Sequence, residues 1–60
     1  PIDVNNSDAA TLMQIEGVTD DIANQLIAAR PYEDNDAFLA NLTSLVLTVD
    51  AAYAANYLGD

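Results

Sequence analysis

Apolar residues along this chain recur three and four positions apart, between short runs of capping residues and helix breakers. That spacing is the signature of helices with one buried face. Leu12 and Ile15 predict a first helix over residues 9–15, with Asp8 as its N-cap and Ser7 as the competing choice. Gly17 stops it, because a tight helix exit asks for a left-handed backbone. Thr19 then caps a second helix over residues 20–29, whose stripe is Ile22, Ala23, Leu26 and Ile27. Asp20 and Asp21 suit the positive end of its dipole. Arg30 closes it and Pro31 prevents continuation. An acidic loop, Tyr32 to Asn35, follows, with Asn35 predicted to cap a third helix over residues 36–42 that carries Phe38, Leu39 and Leu42. A fourth helix is expected from Val49 or Asp50 to Leu58, capped by Thr48 or Asp50 and ended by Gly59. Between them, Ser44 to Val49 is β-branched and apolar, but a lone strand would have no partner. A buried hairpin turn is the expectation there.

The two halves of the pattern match. Val18-Thr19-Asp20-Asp21-Ile22-Ala23 aligns with Leu47-Thr48-Val49-Asp50-Ala51-Ala52, and Leu12/Ile15 has the spacing of Leu39/Leu42. The second connection is two residues longer. Residues 1–60 therefore predict one all-α domain of four or five short helices, arranged as two similar helical units that bury their faces against each other.

Composition narrows what such a domain can do. Cysteine and histidine are both absent, so no disulfide or thiolate metal site is expected, and the usual proton shuttle and zinc ligand are missing. Ser44 has no histidine or lysine to act as its base. Asp34-Asn35-Asp36 starts like a calcium loop, but Phe38 and Leu45 fill the fifth and twelfth ligand positions. The reading is non-catalytic, with no cofactor and no metal. Ten acids face one base, Arg30, for a formal charge of -9. Such a surface repels phosphate backbones and anionic headgroups and favours basic partners or salt-rich surroundings. The longest uncharged stretch, Ala37 to Val49, is too short and too polar to span a bilayer.

The stretches Ile2-Asp3-Val4-Asn5-Asn6, Leu12-x-x-Ile15-x-Gly17-Val18 and Ala23-x-x-Leu26-Ile27-x-x-Arg30-Pro31-Tyr32 resemble the tandem helix-hairpin-helix family. The resemblance covers about half of the chain. It lies nearest the competence DNA-uptake type and the photosystem II extrinsic type. It implies an (HhH)2-like, SAM-like bundle of two helix-hairpin-helix units. In DNA-binding members a glycine-aliphatic-glycine turn presents backbone amides to a phosphate. Here Gly17 and Val18 fit the first two positions, while Thr19 replaces the second glycine and Asp20 and Asp21 follow. The second turn contains no glycine. Carboxylates thus occupy the field that an anion would need, and one arginine supplies about one phosphate contact. Gly17, Val18 and Thr19 read as a vestigial hairpin.

Nucleic-acid binding is accordingly the alternative, and a docking role is the main expectation: an accessory module that stabilises a larger protein or complex with a basic surface. The extrinsic-protein resemblance implies a membrane-bound redox or photosynthetic assembly, and an exported location in periplasm or thylakoid lumen, with a cytoplasmic one as the other option. Candidate partner-binding residues are Asp20, Asp21, Arg30, Tyr32, Tyr53 and Tyr57. Tyr53 and Tyr57 share a helical face, and tyrosine is enriched at binding hot spots. Each has a plainer role as well: helix-dipole charge for the aspartates, pairing with Glu33 or Asp34 for Arg30, and core packing with wet hydroxyls for the tyrosines.

Overall fold

Four helices form where the caps and apolar spacings place them, in a computed structural model that describes residues 1–59. They are α1 (Ala9–Leu12), α2 (Asp20–Ala28), α3 (Asn35–Leu45) and α4 (Ala51–Ala55). Each starts on a side chain that accepts a free backbone amide. Asp8 takes the amide of Thr11, Thr19 that of Ile22, Asp34 that of Ala37, and Asp50 that of Tyr53. Such a cap stabilises by about 1 kcal/mol. Four of them matter in a domain whose whole stability should be about 3–9 kcal/mol.

The boundaries differ from the sequence expectation in instructive ways. α1 stops at Leu12, and the chain continues to Ile15 through tighter bonds: Gln14 donates to Thr11 O and Ile15 to Leu12 O. These three-residue steps let Leu12 and Ile15 both stay buried. The cap of α3 is Asp34 and not Asn35, whose side chain instead donates to the Gly59 carbonyl at 2.7 Å. α3 also runs on through Ser44 and Leu45. Thr43 Oγ1 bonds the Leu39 carbonyl and Ser44 Oγ the Asn41 carbonyl, which satisfies both hydroxyls inside a helix. The expected buried turn is therefore shorter and partly open. Val46 and Val49 are half-buried, but Leu47 is 87% exposed. Beyond α4, residues 56–58 follow by three-residue hydrogen bonds rather than as α-helix.

Packing follows chain order: α1 lies on α2, α2 on α3, and α3 on α4. Among the described residues the one strand-like pairing is a parallel bridge between Ile2 and Leu58. There Ile2 donates to Tyr57 O and Gly59 donates to Ile2 O, so the two ends of the described chain hold each other. The core is Ile2, Val4, Leu12, Ile15, Val18, Leu26, Phe38 and Leu42, with Ala23, Ala54 and Tyr32. Phe38 sits among them with no exposed surface, and the Tyr32 ring meets it edge-on at 5.3 Å and 82°. Fully burying such a side chain contributes about 1.5–3 kcal/mol. No helix among the described residues is long and apolar enough to cross a membrane.

Candidate functional site

Gly17 has a φ of 95°, the backbone that lets the chain leave α1 and enter α2 within a few residues. Val18 donates to Ile15 O at 3.0 Å and buries its side chain, and Thr19 caps α2. The turn is packed as well as bent. A side chain at Gly17 would lie 3.1 Å from Val46 Cγ1 and 3.6 Å from Val49 Cγ2. The turn before α2 thus rests on the turn before α4. Asp20 and Asp21 lie exposed in the first turn of α2.

The chain's one arginine is already occupied. Arg30 lies beyond the C-cap of α2, half-buried, where Nε donates to Val4 O at 2.9 Å and Nη2 to Ser7 O at 2.6 Å. Its hydrogen bonds go to backbone carbonyls and not to Glu33 or Asp34. The reason is geometric. The N-terminal segment crosses the end of α2 and brings two carbonyls that need donors.

Tyr32 is likewise a packing residue, 9% exposed. Its hydroxyl donates to Leu26 O at 2.6 Å and accepts from Asn41 Nδ2 at 2.9 Å. Its backbone exchanges two bonds with the Asn5 side chain. Tyr53 and Tyr57 are different. Their ring centroids are 5.7 Å apart at 71°, their hydroxyls are 3.1 Å apart, and Tyr53 is 54% exposed. The bond to Tyr53 raises the Tyr57 pKa above the ordinary phenol value, reinforced by the charge of Tyr53, burial and the charge of Glu16. The sequence candidates thus separate into a tyrosine pair on the surface, two exposed aspartates, and an arginine and a tyrosine used inside.

Two clefts flank this framework. One, of ≈ 690 Å³, is lined by the first five residues, Tyr32 to Asp36 and Gly59. Asp3 there is held below the usual carboxylate range by the Asn6 side chain and the Asn5 amide, with a smaller contribution from Arg30. Asp8, outside the cleft, is lowered by the Thr11 hydroxyl and amide. The other cleft, of ≈ 530 Å³, lies between the two turns and is lined by Ile15, Glu16, Gly17, Thr48, Val49, Asp50 and Tyr53. The sequence marks Thr48 and Asp50 only as possible caps and Val49 only as part of a buried turn, and it does not single out Glu16. Their signal lay in the internal match of the halves, which aligns the stretch before α4 with the stretch before α2 in sequence.

Among the described residues no group of three or more acidic side chains is arranged to hold a metal ion. No buried polar side-chain atom among them lacks a hydrogen-bond partner. Comparison with protein families, with curated proteins and with solved structures finds no match for this chain.

Proposed function

We propose that this chain is a non-catalytic docking module, which packs on a larger protein or complex bearing a basic surface and stabilises it. The observation that carries the reading is the commitment of Arg30 to the Val4 and Ser7 carbonyls. With it occupied, the surface of a chain of formal charge -9 has no lysine or second arginine to set against its acids. A field of that sign steers the molecule toward cationic surfaces and away from polyanions. Among the described residues the buried ones are apolar except for Tyr32, whose hydroxyl is bonded on both sides. In the setting implied by the helix-hairpin-helix resemblance, the partner is a membrane-bound redox or photosynthetic assembly in a periplasm or lumen.

Duplex DNA is the competing ligand, and the Gly17 turn ahead of α2 is the feature that favours it. Two measurements decide between them. In a fluorescence titration with duplex DNA at ~20 mM salt, where phosphate contacts are strongest, no binding is expected. In a pull-down from an extract of the source cells, protein capture at the same ionic strength should fade as salt rises. Micromolar DNA binding in the first, or no salt-sensitive capture in the second, would overturn the docking reading.

A further inference from the structure

We infer that the cleft between the two turns is where the basic partner docks, and that it receives an arginine or lysine side chain next to an apolar residue of the same partner segment. The inference rests on the docking reading above and assigns it a place on the molecule. Three observations converge there. The floor is apolar, with buried Ile15 and half-buried Val49. The walls come from the turns before α2 and α4 and carry the carboxylates of Glu16 and Asp50, with the exposed ring of Tyr53, one of the tyrosine pair, alongside. Beside it in the chain, Leu47 holds 87% of its surface in water.

A long cationic side chain suits such a site. Its methylene stem covers apolar floor while its head stays at the carboxylates and over an aromatic face. Asp50 caps α4 with Oδ1, so its second oxygen is available to a donor from outside. Leu47 then meets the partner's neighbouring apolar residue. The large groove near the chain ends is acidic as well, but Tyr32 within it has both its backbone and its hydroxyl bonded internally. A second copy of this chain is the wrong occupant, because it would bring a further charge of -9.

The test uses the full chain, labelled with nitrogen-15 and titrated with a short capped peptide alternating arginine and leucine at ~20 mM salt. Amide shifts are expected at Glu16, Gly17 and Thr48 to Tyr53. Glu16→Gln and Asp50→Asn together should weaken binding about three- to tenfold, the scale of two exposed charge pairs. Asparagine still caps a helix, so the fold is kept. Glu33→Gln, in the other groove, should leave affinity within about twofold. Shifts centred on Asp3, Glu33 and Asp36 would overturn the assignment while leaving a basic partner standing. Shifts at the cleft on concentrating the protein alone would overturn it in favour of a second copy. No binding of the peptide anywhere would also overturn it, and the extract experiment would then decide the wider reading separately.

Discussion

The polar side chains at the two ends of this molecule do different work. Where the chain ends meet, Arg30, Asn5, Tyr32 and Asn35 all reach residues far away in sequence: Val4 and Ser7, each other, and Gly59. Around the turns before α2 and α4, the hydrogen bonds are local. Asp50 bonds Tyr53 and Tyr53 bonds Tyr57, each within four residues. A domain this small hides only about 60% of the surface its unfolded chain exposes, so it needs long-range polar links to supplement its core. With those links at one end, the other presents the exposed carboxylates of Glu16 and Asp50 and the exposed side chains of Leu47 and Tyr53. The comparison teaches that residues of the same type divide by location: tyrosine is structural in one place and available in the other.

Replacing those tyrosines tests the division most severely. Tyr32→Ala removes a buried ring that packs on Phe38 and leaves the Leu26 carbonyl and the Asn41 amide short of a partner. The expected loss is about 3–5 kcal/mol, comparable with the whole stability of such a domain, about 3–9 kcal/mol. Circular dichroism at 25 °C should show a largely unfolded variant. Tyr53→Ala removes a half-exposed ring and should cost less than about 1 kcal/mol. Equal losses at the two positions would erase the contrast.

The contrast was only partly legible in the sequence. Helix existence was plain, because Asp8, Thr19 and Gly17 mark boundaries by local chemistry that operates within three or four residues. The apolar spacing of Leu12, Ile15, Leu26, Phe38 and Leu42 identified much of the core. The sequence points to Asn35 as the cap of α3, but Asp34 beside it caps the helix, and the carbonyl of Gly59 takes the Asn35 side chain. Arg30 was misplaced for a related reason. Its acceptors are main-chain carbonyls 26 and 23 residues away, and a carbonyl leaves no mark in the sequence. Tyr32 stands in an acidic loop, which suggests exposure, yet its ring turns inward onto Phe38. The cleft escaped notice because it needs two turns brought together, and no local pattern announces that.

Arg30 supplies a second, smaller way to sharpen the comparison. Arg30→Gln can reach at most one of the two carbonyls and loses the charge that strengthens both bonds. The expected destabilisation is about 1.5–3 kcal/mol, read from the midpoint of urea unfolding. If the loss came merely from a charge of -10 in place of -9, then ~1 M salt would restore it by screening. Lost geometry is not screened, so the deficit between variant and parent should persist at high salt. Full rescue would mean that Arg30 acts only as a counter-charge, and the stitched end would lose its main fastener.

The smallest effect separates the two ends by pH. Asp3 and Asp8 have lowered pKa values, from the Asn6 side chain and Asn5 amide in one case and the Thr11 hydroxyl and amide in the other. A lowered folded value means their contribution is fully present above the unfolded value of ~4. It is lost as pH falls through the folded values. Tyr57 is shifted the other way, chiefly by its bond to Tyr53. Its contribution is present below ~10 and is lost as pH rises beyond that through the raised folded value. Acid should therefore loosen hydrogen bonds at the stitched end, and alkali those at the open one. Asp3 and Asp8 are exposed and Tyr57 is only half-buried, so the changes are modest and are better seen by residue-resolved NMR titration than by unfolding. Tyr53→Phe keeps the ring and deletes the hydroxyl. It should bring the Tyr57 titration back toward the ordinary phenol value and leave Asp3 and Asp8 where they are. A Tyr57 curve that stays raised in Tyr53→Phe would assign the shift to Glu16 and burial instead, and the tyrosine pair would then be held by packing alone.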